Sequence, residues 1–384
     1  MPDFRTGLLY VPARRVEAMP SPRPSGVVRR CLRVAVLSYN LPRPGFKRGG
    51  IERVAHDLAD GLARRGHQVT VHSHDPRPEG AAYAVAPLPW RHFVTTWAGR
   101  RLTMGYLGNV LASVTRFGDV DVIMAHGDSL LLSFGRTPVL RVMHGSALDE
   151  ARTATSLGRR VLQFGVYGLE LVTALTHRHC VAVSANTRRR NPFIELIIPN
   201  GVNRDVFHPD PNERAPVPTV VFVGALGGRK RGAWLLEQFS RTVRPRAPAA
   251  ELHMVCEPGP AVPGVTYHTG LGDEALASLY RRAWVCAAPS TYEGFGLPYL
   301  EAMASGTPVV ATANAGSVEV LGRGRYGRLA PDAEFGDAIC DLLIDRPTRE
   351  AAAAAGLRRA AELGLDRTLD AYESLLQSMV TSRA

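Results

Sequence analysis

Glu293 and Glu301 enclose the stretch of this chain best suited to chemistry. In Pro289-Ser-Thr-Tyr-Glu-Gly-Phe-Gly-Leu-Pro-Tyr-Leu-Glu301 an apolar run that reads as a strand stops at Ala288, a glycine-containing loop follows, and Pro298 sits where a first helical residue would. A loop opening into a helix presents free backbone N–H groups, and the helix dipole adds partial positive charge. Gly294 and Gly296 let that backbone approach an anion closely, so the loop suits a diphosphate. Glu293 stands before the loop, and Glu301 reads as lying in the first turn of the helix. A carboxylate beside phosphate is repelled unless it serves another group, and sugar or ribose hydroxyls are the donors it can accept from. Two acids around an anion-binding loop point to a nucleotide sugar. The acid and base of a hydrolase would instead flank a bond across a cleft.

Other residues fit the same chemistry. Arg229, Lys230 and Arg231 crowd the start of an expected helix, where three positive charges are unfavourable without an anion, and they read as phosphate ligands. Lys47 and Lys230 are the only lysines of the chain, and a lysine tip is a compact cation for phosphate. Gly49-Gly50 opens the first helix beyond a loop holding Pro42, Pro44, Lys47 and Arg48, so its amides would face an interdomain cleft. The spacing is not the dinucleotide-binding G-x-G-x-x-G. His144 ends the strand 139–143 at the carboxyl edge, where open α/β sheets place ligands, and His126 follows 122–125 in the same way. Asp119-Val-Asp121 imitates a metal-binding Asp-x-Asp but precedes a strand at its amino end, and it reads as the lead-in to that strand. No metal site is expected, and basic and amide groups would carry the charge of a leaving diphosphate.

The elements that must position these residues alternate between short β-branched runs and longer amphipathic stretches, which predicts parallel βα units. Strands read at 33–37, 68–71, 120–125, 139–143, 180–183 and 194–198, with helices at 51–65, about 100–116 and 155–177. From Asn203 to Thr219 the composition turns to Pro, Asp, Asn and Arg, with Pro209, Pro211, Pro216 and Pro218 interrupting both helix and sheet. The pattern then restarts with strands at 219–223, 252–255, 285–288 and 309–311 and helices near 231–242, 273–282 and from Pro298. Ala- and Leu-rich helices follow at about 333–344, 348–363 and 367–381. The fold class is α/β, with two doubly wound, Rossmann-like domains facing a cleft: an extension over 1–30, a first domain over 31–205, a linker over 206–218, a second domain over 219–365 and a final segment over 366–384.

Composition bounds the rest. At 384 residues, 45% hydrophobic and 21% charged, the chain has the balance of a globular protein with two cores. Its net charge of +11 comes from scattered pairs such as Arg64-Arg65, Arg100-Arg101 and Arg281-Arg282 rather than a basic stripe interleaved with aromatics, so nucleic acid is not expected as a partner. An anionic small substrate or membrane surface fits better. The five cysteines, at 31, 180, 256, 286 and 340, make no close pair and read as reduced core residues, implying a cytoplasmic setting. No apolar run reaches the length of a membrane span, and residues 1–30 lack the apolar stretch of a signal peptide and read as a disordered extension, with Met19 as a possible start. Trp90, Phe93 and Trp97 allow peripheral contact at the inner face of the membrane, and scattered aromatics of this kind read as readily as core residues. The loops 75–118 and 145–160 carry no motif that identifies an acceptor, which stays open among natural product, lipid and polysaccharide.

Glu293-x7-Glu301, followed by Gly306-Thr-Pro-Val-Val310 and Gly316-Ser-Val-Glu319, resembles the C-terminal signature of retaining GT-B glycosyltransferases of the family 4 type, the glycosyl transferases group 1. Pro199-Asn-Gly-Val-Asn-Arg-Asp-Val-Phe207 is similar to the family's segment before the linker, with Asn203 where Asp is usual. Gly49-Gly-Ile-Glu52 and His144-Gly145 fall in the family's order, so the resemblance spans about 33 to 380. It implies transfer of a sugar from a nucleotide-diphosphate donor, the co-substrate, to an acceptor hydroxyl with retention and with no cofactor or metal. The first domain would bind the acceptor and the second the donor. Glu293 would bind donor-sugar hydroxyls, the amides of Phe295, Gly296 and Leu297 the diphosphate, and Glu301 the ribose, with Gly49, Gly50, Gly294 and Leu271 also in the donor set. Lys230 or Arg231 would fill the family's lysine role. Its arginine, expected directly after Gly224, is here Ala225, which leaves Arg229 to reach in. The resemblance places His144 rather than His126 near the reacting centre, and it implies that the last helix, around 369–379, crosses back to the first domain. A non-catalytic nucleotide-sugar-binding GT-B protein and a GT-B nucleotide-sugar epimerase stay open as alternatives.

Overall fold

The computed structural model describes residues 30–43, 49–88, 115–154 and 156–382. The readings made of residues 1–29, of Pro44, Lys47 and Arg48, of Trp90, Phe93 and Trp97, and of nearly all of the helix at about 100–116 lie outside them.

The first domain begins with β1 (Arg33–Leu37), whose last four residues are all buried, as a parallel strand covered on both faces must be. Helix α1 (Gly50–Arg64) lays Val54, Ala55, Leu58, Ala59 and Leu62 on the sheet, a spacing of three and four residues that makes one apolar stripe. Burying Leu58 and Leu62 contributes roughly 2 kcal/mol each. There follow β2 (Gln68–Ser73), β3 (Ala84–Pro87), β4 (Val122–Ala125), β5 (Val139–Met143), α2 (Ala147–Thr153), α3 (Leu157–Thr176), β6 (His179–Ala182), α4 (Ala185–Arg190) and β7 (Leu196–Ile197). The strands are parallel, in the order β3-β2-β1-β4-β5-β6-β7.

The second domain repeats the plan. It runs β8 (Thr219–Val223), α5 (Gly232–Gln238), β9 (Glu251–Val255), β10 (Val265–His268), α6 (Asp273–Arg282), β11 (Val285–Ala288), α7 (Leu297–Ala304), β12 (Val309–Ala311), α8 (Ala315–Val320), β13 (Arg328–Leu329), α9 (Phe335–Ile344) and α10 (Arg346–Glu362). The chain continues past α5 through a π-helical turn, Phe239–Val243, and Arg244–Arg246. Its sheet is also parallel, in the order β10-β9-β8-β11-β12-β13.

The structure departs from the sequence reading where a strand lacks a continuous apolar run. β3, β10 and β13 are largely half-exposed and carry no such signal. The strand expected over 194–198 contracts to the two residues of β7. The helix expected at 155–177 is preceded by the separate α2, and each has its own serine cap: Ser146 Oγ accepts from the Leu148 amide and Ser156 Oγ from that of Arg159. Cys31 is exposed rather than part of a core.

The chain passes between the domains twice. The first crossing follows Val202, and the second lies at Gly364, ahead of α11 (Leu365–Thr381). The two crossings pair with each other: the Val202 amide donates to Leu363 O at 3.0 Å and the Leu365 amide to Val202 O at 2.9 Å. Helix α11 then packs on α1, where Arg65 meets Asp370 at 2.8 Å and Glu373 at 3.1 Å. One buried apolar cluster runs from Val34 and Val69 through Phe207, Leu369 and Tyr372 into Tyr280 and Leu300, so the halves share a seam of core beside the cleft.

Candidate functional site

Both sheets turn their carboxyl ends toward a common cleft of about 850 Å³. The loops after β1 and β4 and after β8 and β11 leave strands beside the points where the strand order reverses, the place open α/β sheets leave free for ligands, and those after β5 and β10 complete the rim. Gly49, Gly50, His144, Arg229, Lys230, Leu271, Glu293, Gly294, Phe295, Gly296, Leu297 and Glu301 all line it, and so does His126. Of the residues singled out from the sequence, Arg231 is the exception. Its left-handed backbone, φ 56° and ψ 34°, turns the side chain away to form a two-pronged pair with Asp332 at 2.8 and 2.7 Å, over the Trp234 ring. Arg231 is thus turned out of the cleft, against the expectation that it faces phosphate, and of the two candidates for the family's lysine Lys230 lines it.

Glu293 is buried and held from two sides, by Arg229 Nη1 at 2.7 Å and Lys230 Nζ at 2.5 Å. Burial alone would push its carboxyl up, but Lys230 and Arg229 together outweigh it and hold the group below its ordinary value. The acid is ionised. Arg229 also donates to Tyr292 O at 2.7 Å, and the Thr291 amide donates to Arg229 O at 2.9 Å, which ties the loops after β8 and β11 together. Arg229 thus reaches the cleft lining beside Ala225.

Two glycines in the loop before α7 answer different demands. Gly296 has φ 108°, which side chains rarely adopt. A Cβ on Gly294 would lie 2.5 Å from the carbonyl oxygen of His144, so this glycine is required by the approach of the other domain. The helix starts at Leu297, one residue before Pro298, which places Glu301 in the second turn instead of the first. Glu301 accepts from the Tyr280 hydroxyl at 3.2 Å and pairs with Arg53 of α1 at 3.1 Å. Arg53 in turn meets Asp273 at 2.8 Å and stacks on Phe207.

Arg53 was not foreseen, although a basic residue near the amino end of a helix, against the dipole, is a usable signal. Tyr292 was also missed: its hydroxyl oxygen accepts from the Ser146 amide at 3.3 Å across the cleft. Glu319 crosses too, both carboxylate oxygens accepting from the Ala185 amide at 2.9 Å, at the start of α4. Neither contact leaves a trace in the local sequence.

The two histidines are partners. His126 Nδ1 lies 2.8 Å from His144 Nε2 with the rings stacked, so one nitrogen donates and the other accepts. Burial and the nearby Arg141 charge push His144 down to about 3, and burial, His144 and Arg141 push His126 well down, so both imidazoles are neutral at pH 7. At the amino end of α1 the Gly49 amide donates to the Glu52 carboxylate, so an incoming phosphate would compete with that side chain. Leu271 lies between β10 and α6, beside Val255, Cys256 and His268 on the cleft wall.

Asp121 accepts from the Arg33 amide at 2.8 Å and from its guanidinium at 3.1 Å, and Asp119 pairs with the same guanidinium, at the amino end of β1. This pair leads into a strand, on the edge opposite the cleft. Among the described residues no cluster of three or more His, Cys, Asp or Glu is arranged to hold a metal ion, and no helix is long and apolar enough to cross a membrane.

The chain matches the Glycosyltransferase Family 4 profile over residues 48–206 and the Glycosyl transferases group 1 profile over residues 217–345. It is 28% identical to the MMP alpha-(1->4)-mannosyltransferase of Mycolicibacterium hassiacum, across 89% of this chain and 94% of the relative. It is 27% identical to the D-inositol 3-phosphate glycosyltransferase of Kineococcus radiotolerans, across 94% and 98%. Among solved structures, the sucrose-phosphate synthase of Thermosynechococcus elongatus superposes with a TM-score of 0.74 at 21% identity, covering 91% of this chain and 99% of that one. Anabaena HepE in complex with UDP and glucose superposes with a TM-score of 0.68 at 18% identity, covering 90% and 100%. The two domains and their cleft are those of the GT-B fold.

Proposed function

We propose that this GT-B glycosyltransferase moves a sugar from a nucleoside-diphosphate donor to an acceptor hydroxyl with retention of anomeric configuration and without a metal. One observation carries the reading: Arg229, Lys230 and the amino end of α7 converge on Glu293, directly across the cleft from His144. In the proposed complex the second domain holds the donor, its diphosphate against the amides of Phe295, Gly296 and Leu297, where backbone donors and helix dipole favour anionic oxygens. Arg229 and Lys230 then turn from Glu293 to the phosphates, and the released carboxylate accepts hydrogen bonds from donor-sugar hydroxyls. Glu301, with oxygens already oriented by Tyr280 and Arg53, offers its remaining lone pairs to the ribose. Neutral His144 contacts the sugar without adding charge.

The acceptor hydroxyl, bound by the first domain, attacks the anomeric carbon from the leaving-group face. The bond from that carbon to the phosphate oxygen breaks with its electron pair going to the phosphate, the new glycosidic bond forms, and the hydroxyl proton passes to the departing phosphate. The paired cations and helix amides receive the charge that develops there. HepE was solved with UDP, which makes UDP-sugars the first donors to try.

The test is a panel of nucleoside-diphosphate sugars incubated with the full chain and an acceptor mixture, read by mass spectrometry, with NMR of the product's anomeric proton. A glycoside of the donor's own anomeric configuration is expected. An inverted product sinks retention, an isomerised donor points to an epimerase, and donor binding with no turnover points to a non-catalytic protein.

A further inference from the structure

Arg141 stands in the middle of β5, three residues before His144, and lines the cleft. In a parallel strand covered on both faces such a position ordinarily holds an aliphatic side chain. Here it holds a permanently charged guanidinium only 8% exposed. Among the described residues the Arg141 side chain makes no hydrogen bond and no ion pair, and its Nε and Nη1 are shielded from solvent with no acceptor.

The groups around it do not supply the missing anion. His126, His144 and His177 are all pushed down by burial and by Arg141 itself, and are neutral at pH 7. The Tyr39 hydroxyl and the Cys180 thiol are pushed up, chiefly by burial. Glu170 lies near, but its oxygens accept from the Ala147 amide at 3.2 and 3.1 Å, and burial pushes its carboxyl up to about 7. Asp128 is buried nearby, and neither it nor Glu170 reaches ion-pair distance of the guanidinium. An unpaired buried charge destabilises a fold, and an apolar side chain in its place would be tolerated or favoured.

We propose that Arg141 is the anion-recognising residue of the acceptor subsite, so that the acceptor carries a phosphate or carboxylate group close to the hydroxyl that is glycosylated. Three residues of strand separate Arg141 from His144 by about 10 Å, roughly the breadth of one sugar ring and its substituent. The anion therefore belongs to the part of the acceptor that enters the cleft. This rests on the transferase reading above.

Inorganic phosphate is titrated by calorimetry into the full chain with its donor site filled by a nucleoside diphosphate, for the wild type, Arg141→Lys and Arg141→Met. Phosphate binding is expected in the wild type, weakened by about tenfold or more in Arg141→Met and largely kept in Arg141→Lys, because the charge-assisted contact goes with the cation. Nucleoside-diphosphate affinity stays unchanged in all three, and Arg141→Met melts no lower than the wild type. The proposal is overturned if the wild type binds no phosphate, if Arg141→Met binds it equally well, or if Arg141→Met melts lower and loses the nucleotide too. Failure of the transferase reading shows separately, as no nucleoside-diphosphate binding by the wild type. Glucose 6-phosphate and phosphatidic acid vesicles, compared as competitors of bound phosphate, tell a soluble acceptor from a lipid one, and competition by neither overturns the proposal.

Discussion

Glu293 balances Arg229 and Lys230 in this structure, and the proposed mechanism gives it a second job, accepting hydroxyls once phosphate has taken those cations. Glu293→Gln separates the two. The variant frees the cations, so donor affinity should hold or rise, while kcat should fall by about 10²–10³, the scale of losing one oriented polar contact in a transition state. Equal losses in donor affinity and kcat would place Glu293 in phosphate-site assembly alone. His144 carries a pH prediction. Its pKa of about 3 in the fold lies below the 6.5 of the unfolded chain, so the unfolded chain binds the proton first. The stability this group contributes is complete above about pH 6.5 and is lost as pH falls toward 3. Urea unfolding across that window should lose part of its pH slope in His144→Gln, and the rate profile should show no inflection near 6.5 from this residue. The two glutamates were legible because their setting, loop then helix, is local. Arg231 misled because a left-handed residue reverses where a side chain points, and nothing in Arg229-Lys-Arg231 announces that turn.

At the scale of elements, the strand-loop-helix run from β11 to α7 was read nearly whole, since its buried strand, glycines and proline all write their own signals. The outer strands β3, β10 and β13 were not, because half-exposed parallel strands lose the apolar run that marks the central ones. Gly294 answers a demand that the sequence does not show. The sequence reading gives it the task of approaching an anion, whereas the structure shows it letting the loop approach the His144 carbonyl. Gly294→Ala should therefore hold the cleft open and lower kcat/KM by about 10²-fold, the cost of misplacing reacting groups by about an ångström. The melting temperature should move little, because an opened cleft relieves the clash. A large loss of stability with unchanged kinetics would mean that the loop, not the domain approach, absorbs the added methyl.

For the whole molecule, the linker composition made two domains visible, but their apposition is written in contacts between distant segments. Arg53 is central to these: it joins α1 to α6 and α7 through Asp273 and Glu301. Removing it leaves Glu301 buried without its cation, which costs about 3–5 kcal/mol for pairs of this kind. Arg53→Ala should weaken donor binding by at least about tenfold and raise the radius of gyration measured by X-ray scattering. An unchanged radius with weaker donor binding would confine Arg53 to orienting Glu301. Glu319 at the Ala185 amide and Tyr292 at the Ser146 amide close the same seam elsewhere.

The side-chain Nε2 of Gln377 donates to the carbonyl oxygen of Arg30 at 2.6 Å, so the far end of α11 touches the lead-in to β1. The first domain is thus a discontinuous fold, its surface over α1 completed by a piece of chain more than three hundred residues away. Cutting the molecule at the linker would produce one half lacking its last helix and another trailing an amphipathic orphan. Any exchange of the first domain between related chains therefore has to carry two segments together, the stretch up to Val202 and the helix that follows Gly364.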